Sequence, residues 1–246
     1  MKKIFLSVFV AIIILSAVGC TKSVTTIRTT TTVTAIPTTT APVTTTPTQL
    51  PVSFNVVRSD ESRIMTPDVT ATQLSALVNG NNTFAFNLYQ QLTQNNTGNI
   101  FYSPYSISTA LAMTYAGANG DTATQMSKTL DFTLPQAELH PAFDDLALQL
   151  ASRGQGASGT NGKSFSLNIA NALWCQKSYN FLPAFLNTLA QNYDTGVNLL
   201  DFINSPEPSR VTINNWVSNE TNERINDLIR QGGITPSTSR VLKNGC

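Results

Sequence analysis

Histidine, cysteine and charge are all scarce in this chain, and each scarcity removes a class of function. One histidine and three cysteines among 246 residues cannot supply a clustered nitrogen and sulfur ligand set, so no metal is expected. Cys20, Cys175 and Cys246 allow one intrachain bridge, Cys175 to Cys246, if Cys20 is otherwise engaged, and nothing in the spacing demands it. Only 12% of the residues are charged, and fifteen basic against fourteen acidic side chains leave a formal charge of +1. That balance offers no uniform field to a phosphate backbone. Lys22, Arg28, Arg58 and Arg63 are scattered through a polar region rather than gathered with aromatics, so they read as solubility and nucleic acid is not an expected partner.

Catalytic motifs are equally thin. No Gly-x-Ser-x-Gly elbow occurs, and a Ser-His-Asp triad would rest on His140 alone, which before Pro141 reads as a loop or helix-start residue. Asp144 and Asp145 have no acidic partner for glycosidase work and read as the solvated face of a helix. Ala157 to Ser164 satisfies a relaxed phosphate-loop spacing, with Lys163 and Ser164 in the phosphate and magnesium positions. Yet it follows a helical stretch, Ala142 to Ser152, and leads into an alternating strand, Ser164 to Trp174, whereas phosphate-binding amides come from a helix that follows the loop. Neither an enzyme nor a cofactor is expected.

What the chain does contain begins with an address. Lys2 and Lys3 precede an apolar run from Ile4 to Ala17 that is too short to span ~30 Å of hydrocarbon. Ala17-Val18-Gly19-Cys20 looks like a lipoprotein processing box with Cys20 as the acylated residue, although leucine is more usual where Ala17 stands. The alternative is an ordinary secretory signal with Cys20 incidental. Either reading places the protein outside the cytoplasm, and lipid on Cys20 would add the membrane as a partner and hold the chain at the cell surface. From Thr21 to Gln49 about half of the residues are threonine, with Pro37, Pro42 and Pro47 interspersed and no acidic residue. Such a stretch cannot bury a core and reads as a stiff, solvated stalk; a Thr-rich ice- or mineral-binding repeat would need a strict period, and the interval between Thr clusters is irregular. The division is therefore a signal over 1–20, a linker over 21–50 and a domain over 51–246.

Within the domain, Leu74, Leu77, Asn81, Phe84, Leu88 and Leu92 recur every three or four residues and predict a helix over 70–94. Ile100 to Tyr102 reads as a short strand, after which Ser103 and Pro104 open a helix of small residues through Ala118 that should be central. A strand over Leu167 to Lys177 and a helix over Phe181 to Tyr193, with Pro183 in its first turn, come next. Val197 to Phe202 reads as a strand, and a helical pattern runs from Ile213 past Trp216, a core anchor, to Leu228 and Ile229.

Four of these segments carry a family likeness. Asn99-Ile100-Phe101-Tyr102-Ser103-Pro104-Tyr105-Ser106-Ile107, then Leu167 to Lys177 with its Ala170-Asn171 pair, the helix over Phe181 to Tyr193 and the stretch from Ile213 to Ile229 resemble, in order, segments of the serpins. The resemblance covers Val52 to Asn244 and corresponds to the first half of the serpin domain. It implies an α+β fold in which N-terminal helices pack on part of a central β-sheet, an incomplete domain. It also implies an inhibitor of a serine protease, or of a cysteine protease, acting by insertion of an exposed reactive loop into its own sheet. No such loop is reached in these residues, so by themselves they are expected to be inactive and to expose strand edges and apolar faces. By position, Ser103, Ser106 and Asn244 match members of the polar cluster, the shutter, over which the serpin sheet opens; Ser103 equally suits a helix cap, a role worth ~1 kcal/mol. The other functional class is a cell-surface binding or display protein on a partial scaffold. Asn81, Asn95 and Asn219 each begin an Asn-x-Thr sequon and are glycosylation candidates where the host has that machinery.

Overall fold

The computed structural model describes residues 50–94, 96–153 and 169–245. The proposed signal with Cys20, the proposed linker up to residue 49, Asn95, the phosphate-loop-like segment with the first five residues of the strand expected from Ser164, and Cys246 lie outside these residues. Ten elements follow in chain order: β1 (Asn55–Val57), α1 (Ala71–Thr93), α2 (Pro104–Tyr115), α3 (Gly120–Thr129), α4 (Gln136–Arg153), β2 (Ala170–Gln176), α5 (Pro183–Tyr193), β3 (Val197–Leu200), α6 (Pro206–Glu220) and β4 (Arg240–Gly245). No described helix is long and apolar enough to cross a membrane.

The helix starts follow local chemistry. Thr70 closes a capping box with Gln73 at the head of α1, Asn119 caps α3, and Pro104, Pro183 and Pro206 stand in first turns where their missing amide costs nothing. Helices α1, α2 and α4 enclose one core of Leu77, Phe84, Ala112, Tyr115, Leu139 and Phe143, to which the α3–α4 connection adds Leu130 and Phe132. At Gly80 a side chain would collide with the Asp131 carbonyl, so α1 can lie this close to that connection only because glycine stands there.

The strands form one sheet in the order β1-β3-β2-β4, with β2 and β3 parallel and the outer pairs antiparallel. In β2 the two-residue period sends Ala172 and Trp174 toward α6, where Phe202, Ile213 and Val217 meet them, and Leu173 and Cys175 toward α2 and α5, where Ala110, Met113 and Leu189 meet them. Both faces of β2 are covered, which is why Ala172 to Gln176 are buried without interruption. Cys175 is a free thiol, pushed up to about 11 by burial.

The structure corrects several sequence expectations. Ile100 to Tyr102 joins no strand ladder, and Phe101 is 90% exposed, while the Tyr102 hydroxyl donates to the Ala85 carbonyl. His140 is neither in a loop nor at a helix start but buried inside α4, which begins at Gln136 and carries Pro141 within it. Asp144 is not solvated: it is fully buried and paired with Arg63, which is thereby not a mere solubility residue. Helix α6 stops at Glu220 instead of running to Ile229, because Asn222 and Glu223 take left-handed φ values of 49° and 60°. The chain then turns back, and the Asn214 side chain both donates to and accepts from the Ile229 backbone at 2.9 Å. Helix α3 has no counterpart in the sequence reading, although Asn119, Asp121 and Lys128 stand where a cap, a first-turn acid and a last-turn base belong.

Candidate functional site

The residues singled out for a shutter lie where the helical layer meets the sheet. Ser103 has extended backbone, φ −112° and ψ 101°, and its Oγ accepts from the Ser106 amide at 3.3 Å, the N-cap bond that stops the chain before α2. The same hydroxyl donates to Ser106 Oγ at 2.9 Å. Capping and hydroxyl pairing are thus one arrangement. Ser106 is 1% exposed, and Ser108, one helical position pair further on, is fully buried. Helix α2 carries these hydroxyls and packs against both β2 and β4.

Asn244 lies on β4, in register opposite Asn171 of β2, in a ladder that runs from Ala170 opposite Gly245 to Cys175 opposite Arg240. Among the described residues β4 has one strand neighbour, β2, so its other side is an open edge of unpaired backbone donors and acceptors. Such an edge can take up another strand by main-chain hydrogen bonding. Of the candidate glycosylation sites, Asn219 is exposed in the last turn of α6, whereas Asn81 lies inside α1 with its Oδ1 buried and unpartnered among the described residues. Asn95 and Cys20 fall outside the described residues. The described residues contain no group of three or more His, Cys, Asp and Glu side chains placed to hold a metal ion.

A second polar cluster, to which no sequence pattern pointed, joins α4 to α5. His140 Nδ1 and the Tyr193 hydroxyl are 2.7 Å apart, and His140 Nε2 has no partner among the described residues. Burial holds the imidazole down to about 4 and pushes the Tyr193 phenol up. A histidine whose folded value lies below its unfolded value of about 6.5 contributes stability that is present above that value and lost as pH falls through about 4. About 3.5 kcal/mol should therefore disappear as the pH falls from above 6.5 to below 4, at ~1.4 kcal/mol per pH unit. Urea midpoints across that range check this, and His140→Leu should flatten the slope; an equal slope in the variant would place the acid sensitivity elsewhere.

The Serpin (serine protease inhibitor) family model matches residues 79–246. The chain is 40% identical over 162 residues to the leukocyte elastase inhibitor of Xenopus laevis, covering 65% of this chain and 41% of that protein. With the leukocyte elastase inhibitor of Bos taurus it shares 42% identity over 173 residues, 70% of this chain and 42% of that protein. Among solved structures, uncleaved ovalbumin superposes with a TM-score of 0.56 at 29% identity, over 65% of this chain and 41% of ovalbumin. The chain thus spans about two fifths of the length of these proteins.

Proposed function

Since the chain belongs to the serpin family, we propose that it supplies the helical layer and part of the receiving sheet of an inhibitor that traps a serine or cysteine protease by loop insertion. The observation that carries this reading is β4, six residues long, which among the described residues has a strand neighbour on one side only and packs on α2, the helix that starts at the Ser103–Ser106 hydroxyl pair. An inserted strand gains backbone hydrogen bonds from such an edge, while the hydroxyl pair is a small polar contact that can be broken and remade as the sheet shifts. The protease partner is proposed from the family and from the elastase-inhibitor relatives. Export with acylation of Cys20 would hold this machinery at the cell surface on the Thr-rich linker.

The decisive assay is a protease adduct that survives boiling in detergent. Residues 1–246 alone should form none with elastase or trypsin, whereas a form continued through a reactive loop should. Cleavage of that longer form without an adduct would overturn inhibition and leave the surface-display scaffold. On residues 1–246 themselves, a synthetic reactive-loop peptide should slow amide exchange over Arg240–Gly245; unchanged exchange would count against strand uptake at this edge.

A further inference from the structure

Among the described residues the sheet ends at β4 on one side and at the short β1 on the other, and β1 lies outside the family match, which starts at residue 79. The segment from Leu50 to Asp68 runs across every layer. At its start the Val52 amide donates to Thr212 Oγ1 at 2.8 Å, and that hydroxyl donates back to the Val52 carbonyl at 2.9 Å, which ties the segment to α6. Phe54 sets its ring edge-on against Trp174 of β2 at 4.8 Å. Asn55, Val56 and Val57 then pair antiparallel with Leu199, Asn198 and Val197. Beyond them Arg58 binds Asp194 at 2.6 Å, Ser59 Oγ donates to Asn187 Oδ1 at 2.6 Å, and the Ile64 amide donates to the Gln191 carbonyl at 2.9 Å, all at α5 or its end. Last, Arg63 reaches α4 and grips the buried Asp144 through Nε at 2.8 Å and Nη2 at 2.7 Å.

Without this segment β3 would be an edge. Three of its four residues, Val197, Asn198 and Leu200, are buried, so its uncovered ladder would be a regular, largely apolar template for strand addition by another copy. The segment exchanges that edge for a poor one: β1 is three residues long and is followed at once by the charged Arg58, features that blunt an edge. Gly196 is shaped for the contact. A Cβ there would stand 2.5 Å from the Val57 carbonyl oxygen and 2.9 Å from Arg58 Cβ, so glycine is needed for the segment to seat.

We propose that Leu50–Asp68 is an intramolecular strap that caps the sheet at β3 and prevents strand addition there by a second copy of the chain. It stands apart from the inhibitory reading, which concerns the β4 edge. Gly196→Ala tests it, because the added methyl displaces the strap while Gly196 itself has no left-handed φ to lose. In the full chain this variant should exchange the Val197–Leu200 amides at least tenfold faster, be cut by trypsin at Arg58 at least tenfold faster, and form a larger oligomer fraction in sedimentation at equal concentration. The Arg240–Gly245 amides serve as the internal reference and should not change at low concentration. Unprotected β3 amides in a variant as monodisperse as the parent would overturn the guarding role, and unchanged β3 protection would overturn the strap. Should Gly196→Ala fail to fold, the parent still decides: β1 and β3 amides must lose protection together, and β1 exchanging at a free-peptide rate beside protected β3 sinks the proposal.

Discussion

Trp174→Ala should cost about 3–5 kcal/mol, the range for deleting a buried large aromatic side chain from a core that cannot fully collapse. Trp174 is completely buried at the centre of the sheet and touches three separate parts of the chain. Phe54 of the strap meets its ring edge-on, Trp216 of α6 lies at 6.0 Å, and Leu200 and Phe202 close the same core. The cavity would therefore be walled by elements fixed elsewhere, by the β2–β3 ladder, by the Thr212 bonds to Val52 and by the Asn214 bonds to Ile229. Its indole Nε1 has no partner among the described residues. Trp174→Phe, which removes that orphan donor and keeps most of the ring, should consequently lose under about 2 kcal/mol. Urea titrations followed by circular dichroism measure both variants. A loss below about 1 kcal/mol in Trp174→Ala would mean that strap and α6 close over the gap.

Arg63→Ala should be comparably damaging near neutral pH, and its size should depend on pH in a defined direction. Burial pushes the Asp144 carboxyl above the ordinary carboxylate range, and the Arg63 guanidinium pulls it back. Removing the guanidinium leaves a buried carboxylate whose only escape is to take a proton, a loss of about 3–5 kcal/mol for a buried pair broken on one side. Because the folded value is raised, the protonated form is the one favoured by folding. The penalty is then small below pH ~4 and grows as pH rises toward the raised folded value. Urea midpoints of parent and variant at pH 4.5 and 7 give the difference directly, with the His140 contribution common to both. Equal losses at the two pH values would show that Arg63 acts through packing of its stem. Replacing both partners by apolar residues, Arg63→Met with Asp144→Leu, should recover much of the loss, since no uncompensated charge remains.

These two sites also show where a sequence can be read and where it cannot. Capping serine at 103, proline at 104 and 183, and the apolar spacing through Leu77 and Phe84 are local signals, and the helices stand close to where those signals put them. The order of the family-like segments likewise agrees with the serpin match over residues 79–246. Ser103 and Ser106 are three residues apart on one helix start, so their pairing was within reach of sequence spacing. By contrast, Arg63 and Asp144 are 81 residues apart, and each alone looks like a surface charge. Val52 and Thr212, 160 residues apart, give no periodic trace of their contact at all. Helix α6 ended early because the left-handed residues Asn222 and Glu223 interrupt a helical pattern of apolar residues that continues to Ile229 in sequence but folds back in space.

The sequence by itself determined the starts of α1, α2 and α5 and the family, because these rest on first-turn residues, short ordered motifs and a period of 3.6 that act over a few neighbours. Only the tertiary structure decided that the short β1 borders β3 and that β4 ends the sheet on the other side among the described residues. Strand pairing, a buried ion pair and a glycine that admits a neighbouring backbone are relations between distant residues, and their energies exist only once the chain has brought them together.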